Sequence, residues 1–356
     1  MTGTVVDVPT DLTVHANGQR IHAYVAGDCG PLVLLCHGFP ESASSWHHQM
    51  GALAGAGYRA VAMDMRGYGR SSKPVGAEHY SVSRLVEDCV AVVDALGETT
   101  AVIVGHDFGA PVAWTAAWTR PDRFRGVVGL GMPFAGRGLA ALPNDPTGLE
   151  RPTHAHAELS GPALRFYQEY FTLPGSVAER EMEADLRDFL TKCFYSLSAQ
   201  RPTPPELAGV DLLSLPLENL VDIVRGTMCV DNDASFLSRL VSPEQLPNWL
   251  SDRDLDRFVS ELETSGIRAP LAWYESADLS WEELERFAGQ PLTVPALYLG
   301  GDKDITTIWG QPAARLASKH ILDLRGSVII EDCGHWIQME KPKEVNEAIL
   351  TFLAGL

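Results

Sequence analysis

The sequence is short of positive charge: its 356 residues carry 28 Lys plus Arg against 46 Asp plus Glu, a formal net charge of −18. Such an excess repels phosphate backbones and anionic lipid head groups, so neither nucleic acid nor a membrane surface is expected as a partner. Long apolar runs are missing too. The best, residues 126–136, is bounded by Arg125 and Arg137 and falls far short of the ~20 residues of a spanning helix. The opening MTGTVVDVPTDL has neither the basic start nor the apolar centre of a secretory leader, and a cytoplasmic location is the expectation. The six cysteines (Cys29, Cys36, Cys89, Cys193, Cys229, Cys333) include no Cys-x-x-Cys pair. That argues against a zinc site or disulfide framework and for reduced, mostly buried thiols. His47-His48 and His154-x-His156 lack Cys or carboxylates at ligand spacing, so no metal is expected. The Gly- and Ser-bearing stretch 66–72 lacks the Gly-Lys-Ser/Thr ending of a phosphate loop, and no cofactor is expected either.

What is present is ordinary globular material, 45% hydrophobic and 21% charged. The length fits two domains or one large core with an insertion. Asn17-Gly18 between two alternating runs reads as a hairpin turn, because both residues tolerate positive φ. Short apolar runs then alternate with helical patterns. Strands are expected at 32–36, 60–63, 101–104 and 127–130, and helices at 45–54, 82–96 and 111–118. Apolar strands alternating with helices predict an α/β fold with a mostly parallel sheet covered on both faces. After Met132-Pro133 the pattern changes: residues 135–290 offer no convincing buried strand, many prolines, and amphipathic stretches at 177–195 and 255–263. The α/β pattern resumes with strands at 296–299 and 328–330 and helices at 311–318 and 342–353. This divides the chain into a first core part (1–134), an inserted helical cap or lid (135–290) and a second core part (291–356).

Four loops at expected strand ends carry chemistry, and the carboxyl ends of parallel strands are where open α/β sheets place their sites. Gly105-His106-Asp107-Phe108-Gly109 has the strand–turn–helix form of a nucleophile elbow, with Asp where Ser usually stands. Alone it better fits a plain loop with a helix-capping Asp. His37-Gly38-Phe39-Pro40-Glu41 stands where an oxyanion loop belongs, and the backbone N–H groups of Phe39 and Phe108 are the candidate donors. Gly301-Asp302-Lys303-Asp304 offers two acids. Asp304 lies further beyond the strand and is preferred, although spacing does not settle the choice. Asp332-Cys333-Gly334-His335-Trp336 supplies a histidine. The order nucleophile, acid, histidine is that of α/β-hydrolases. The loop after the strand preceding the insertion, Met132-Pro133, has no carboxylate to compete as the acid.

Together with Asp64-Met65-Arg66-Gly67-Tyr68-Gly69-Arg70-Ser71-Ser72, the helix start Ala110-Pro-Val-Ala-Trp114 and the stretch EDCGHWIQMEKP (331–342), these motifs make the chain resemble a soluble-type epoxide hydrolase. The likeness to these α/β-hydrolases with a helical cap runs over nearly the whole length. It implies two cap tyrosines, which fit Tyr274 in Arg-Ala-Pro-Leu-Ala-Trp-Tyr and Tyr167 in Arg-Phe-Tyr-Gln, with Tyr170 a rival for the latter. It also supports Asp304 over Asp302 and leaves room for a homodimer. An Asp nucleophile suits attack on saturated carbon, since attack on an ester or amide carbonyl would give a high-energy anhydride. Opening an epoxide needs a proton donor, which a tyrosine supplies. A departing halide would favour an N–H donor beside the nucleophile, where this chain has Phe108. The expected partners are therefore a small apolar epoxide and water. Trp273 and Trp336 are expected to line the substrate pocket, with Phe166 also near the site. A haloalkane-type dehalogenase, or an inactive binding protein of the same fold, is the alternative.

Overall fold

The computed structural model describes residues 9–203, 207 and 209–356. Most of the N-terminal segment discussed above lies outside the described residues. Eight strands form one sheet: β1 (Thr10–Ala16), β2 (Gln19–Ala26), β3 (Leu32–Cys36), β4 (Arg59–Asp64), β5 (Ala101–His106), β6 (Phe124–Leu130), and, after the short β7 (Leu164–Phe166) and β8 (Cys229–Asp231), β9 (Ala296–Gly301) and β10 (Leu324–Ile330). The spatial order is β1-β2-β4-β3-β5-β6-β9-β10, antiparallel at the β1–β2 and β2–β4 pairings and parallel from β4 onward. Asn17 and Gly18 turn the first hairpin with φ of 54° and 72°.

The two-residue period of a strand sends its side chains to opposite faces. In β3, Leu32, Leu34 and Cys36 join the apolar layer under the helices Val82–Ala95 and Gly109–Thr119. Val33 and Leu35 join the other layer, under His47–Gly55 and Pro342–Ala354. With both faces covered, the central strands have no polar side to show. At the sheet edge β10 alternates instead, burying only Ile330 fully.

The stretch between β6 and β9 is largely helical, with two departures from expectation. The amphipathic stretch 177–195 is two helices, Val177–Glu183 and Leu186–Ser196, because the Asp185 side chain accepts the N–H of Asp188 and starts a new helix. The same region also holds buried strand: β7 and β8 pair antiparallel, with Phe166 and Cys229 facing each other in the core. No helix among the described residues is long and apolar enough to cross a membrane.

Candidate active site

Asp107 stands at the tip of the turn from β5 into the helix Gly109–Thr119 with φ of +51°, a region costly for residues other than glycine. The turn closes because Gly105 has no side chain; a Cβ there would run into the Gly109 carbonyl. Gly38 likewise leaves room for the Asp107 carboxylate. The N–H of Phe39 donates to Asp107 Oδ1 at 2.7 Å, while Oδ2 lies 3.4 Å from His335 Nε2. One carboxylate oxygen is thus held by the β3 loop and the other faces His335.

The loops after β9 and β10 complete the group. Asp304 caps the helix Ile305–Trp309, accepting the N–H groups of Thr306 and Thr307 and the hydroxyls of both threonines. Its Oδ1 lies 2.9 Å from His335 Nδ1. Asp302, the competing acid, turns away and accepts the N–H of Cys333 at 3.0 Å. Burial pushes the Asp107 and Asp304 carboxyls up, but the adjoining His335 outweighs it and both sit below their usual value. Burial works against charge on His335 too, yet the Asp304 charge and the hydrogen bonds to both carboxylates hold it well above the ordinary imidazole value. Both carboxylates thus favour a proton on His335.

Tyr274, on the helix Arg268–Glu275, packs edge-on against Phe39 and Phe108 with ring centroids 5.7 and 5.4 Å away. Tyr167 follows β7 directly, and its ring is 6.1 Å from that of Tyr274. Burial, and the nearby negative charge of Asp107, push both phenols up, so both hydroxyls stay protonated. Tyr170 points elsewhere and donates its hydroxyl to Glu181 at 2.6 Å. Trp273 and Trp336 are buried with their indole N–H groups spent on the carbonyls of Arg66 and Phe194. They pack against Phe108 and His335, and neither has a side-chain donor left for a substrate. Phe166 is similarly buried, against Tyr167 and Trp309.

The sequence reading passed over a buried polar chain beneath the site. His106 bonds Glu41 through Nδ1 at 2.7 Å and donates from Nε2 to the His335 carbonyl at 2.7 Å; Gln338 donates to the other Glu41 oxygen at 2.6 Å. Both Glu41 and His106 lie inside motifs that had been read only for backbone geometry. The available signal was chemical: an ionisable residue inside each of two adjoining loops that a parallel sheet must bury. Among the described residues, no group of three His, Cys, Asp or Glu is placed to hold a metal ion.

An acid nucleophile candidate on a strand–helix elbow, facing an imidazole held by a second acid from later strands, defines a hydrolase-type site on a doubly covered sheet. Residues 31–342 match the alpha/beta hydrolase fold family, and the chain belongs to it. Within that fold the chain is an epoxide hydrolase family member. It is 46% identical to epoxide hydrolase B of Mycobacterium tuberculosis over 349 residues, covering 96% of this chain and 98% of that protein. Among solved structures it is similar to an epoxide hydrolase from an endophytic Streptomyces (TM-score 0.86, 40% identity, 98% of this chain and 96% of the other). It is also similar to epoxide hydrolase A of Mycobacterium thermoresistibile (TM-score 0.84, 37% identity, 98% and 99%).

Proposed function

We propose that the protein adds water to an apolar epoxide to give a vicinal diol, through an ester formed on Asp107. The observation that supports this reading is Asp107 set against the His335–Asp304 pair, with the Tyr167 and Tyr274 phenols near enough to respond to its charge. Asp107 Oδ2 attacks a ring carbon and the C–O bond opens. A tyrosine hydroxyl donates its proton to the departing oxygen, and the His335 imidazolium proton restores the tyrosine. Esterification removes the Asp107 charge. That charge had been holding the phenols weakly acidic and the imidazole strongly basic, so its loss favours both transfers when they are needed.

Neutral His335, oriented by Asp304, then takes a proton from water as the oxygen attacks the ester carbonyl. The developing oxyanion is the Asp107 oxygen already bonded by Phe39 N–H, with Phe108 N–H beside it. Collapse expels the diol oxygen as an alkoxide, which takes the proton of the newly formed Asp107 carboxyl group and leaves the carboxylate and the imidazolium. In this reading residues 1–134 and 291–356 form the catalytic core, and residues 135–290 a cap that contributes both tyrosines. A cytoplasmic enzyme without cofactor, active as a monomer or homodimer, fits the acidic composition. The test is turnover in ¹⁸O-labelled water followed by mass spectrometry of the Asp107 peptide. Label enters Asp107 over repeated cycles if the ester forms; label found only in the diol overturns the covalent route.

A further inference from the structure

The two phenols near Asp107 are not alike. The Tyr167 hydroxyl oxygen accepts a hydrogen bond from Gln168 Nε2 at 3.0 Å, while the Tyr274 hydroxyl has no hydrogen-bond partner among the described residues. Gln168 is the second residue of the helix Tyr167–Phe171, and it is buried. Burying a carboxamide is unfavourable unless it is hydrogen-bonded, and among the described residues this one bonds only the phenol. Other buried donors of this chain end on backbone carbonyls, as the indole N–H groups of Trp273, Trp309 and Trp336 do.

A phenol that accepts one hydrogen bond keeps its own O–H free, and Tyr167 donates to no protein acceptor among the described residues. The accepted bond strengthens when the phenol loses its proton, because an N–H bonds a phenolate more strongly than a neutral hydroxyl. Burial, the Asp107 charge and Cys193 push the Tyr167 phenol up, and the Gln168 bond draws it down. On Tyr274 burial, Tyr167, Asp107, Tyr68 and Cys193 all push upward.

We propose that Gln168 is a positioning residue for ring opening: its amide N–H holds the Tyr167 oxygen so that Tyr167, and not Tyr274, gives its proton to the epoxide. Asp107 Oδ2 forms the new C–O bond, the ring C–O bond breaks, and the electron pair left on the ring oxygen takes the Tyr167 proton. Gln168 Nε2 stabilises the resulting phenolate until it is reprotonated. The Tyr274 hydroxyl donates a hydrogen bond to the ring oxygen and keeps its proton. The inference rests on the epoxide-opening reading above and names which phenol acts and what assists it.

The experiment follows single turnovers of styrene oxide by rapid quench, timing ester formation and ester hydrolysis separately, with circular dichroism on each variant. Gln168→Leu is expected to slow ester formation about tenfold, the lower end for a hydrogen bond to a charged group, and to leave ester hydrolysis within about twofold. Adding Gln168→Leu to Tyr167→Phe costs nothing further, whereas adding it to Tyr274→Phe costs the same factor again. A side chain that merely filled space would not distinguish the two backgrounds. Gln168→Glu keeps the shape and tests the donor: protonated, the introduced carboxyl donates to the phenol; ionised, it cannot. Its ester formation is expected to fall as pH rises between about 5 and 8, a fall that wild type does not share. Equal loss in both half-reactions, equal cost in the two tyrosine backgrounds, or a Gln168→Glu profile that overlays wild type overturns the proposal. Failure of Tyr167→Phe to slow ester formation overturns it too, while the covalent route stands if Asp107 still carries the ester. Absence of any ester on Asp107 brings down the epoxide-opening reading itself, and the inference with it.

Discussion

The carboxyl end of the sheet and the helical stretch between β6 and β9 both send side chains to Asp107, but they hold those side chains in different ways. Asp107, Asp304 and His335 sit in loops whose ends are fixed by paired parallel strands, and each is hydrogen-bonded within its own neighbourhood. Tyr167 and Tyr274 come from separate helices and are placed by aromatic packing on Phe39, Phe108 and Phe171. A sheet-anchored group has its geometry specified locally; a packed group depends on everything behind it. Groups of the first kind should respond to substitution nearly all or none, and those of the second kind in degrees.

The sharpest break in that comparison is Asp107→Ala, expected to lower turnover by about 10⁴-fold or more while the sheet folds normally. Steady-state diol formation together with circular dichroism checks it. Residual activity within a hundredfold of wild type would move the nucleophile elsewhere. His335→Gln follows, with turnover lowered by about 10³-fold and the ester retained on Asp107. Intact-protein mass spectrometry after one turnover should find the protein heavier by the mass of the epoxide. Normal turnover by this variant would remove the histidine from the water step.

The tyrosine pair should respond more gently. Tyr274→Phe and Tyr167→Phe each lose about 10- to 100-fold, concentrated in ester formation and not in ester hydrolysis, because only ring opening creates an alkoxide. Rapid-quench measurement of the two steps distinguishes them, and equal losses in both would count against proton donation. If either Phe variant also melts several degrees lower, packing on the β3 loop has been disturbed as well, and the contrast between the two regions is sharper still.

The same contrast governed what could be read from sequence. β3, β5 and β9 announce themselves, because a strand buried on both faces has to be apolar throughout and glycine-bearing turns mark its end. The motif loops inherit their positions from those strands, which brought Asp107, Asp304 and His335 into view together. The β7–β8 pair did not register, since three residues per strand are too few for a period to emerge. The break at Asp185 was hidden because its side-chain cap interrupts an amphipathic pattern that continues on either side. Tyr167 and Tyr170 were inseparable by pattern; what separates them is Glu181, which draws the Tyr170 hydroxyl away. The carbonyl partners of the Trp273 and Trp336 indole N–H groups were likewise invisible, because which acceptor an indole meets is a tertiary fact.

The smallest expected effect concerns the ions of the sheet-end site. His335 has its folded-state pKa raised by the two carboxylates, so its contribution to stability is complete below the unfolded value of ~6.5 and is lost as pH rises through the folded value. Asp107 and Asp304 have depressed values, so their contributions are complete above ~3.9 and are lost as pH falls through the depressed ones. All three are fully present between about pH 4 and 6.5. Above that window the histidine contribution declines by at most about 1.4 kcal/mol per pH unit, the limit for one proton. Urea unfolding of wild type and His335→Gln at pH 6.5, 7.5 and 8.5 reads this directly. The wild-type advantage should shrink as pH rises, because only the wild type carries a proton there to lose. Parallel profiles would mean that the resting imidazole is neutral. The proton needed to restore the tyrosine pair would then have to come from solvent, leaving Tyr167 and Tyr274 less dependent on the sheet than the proposed mechanism makes them.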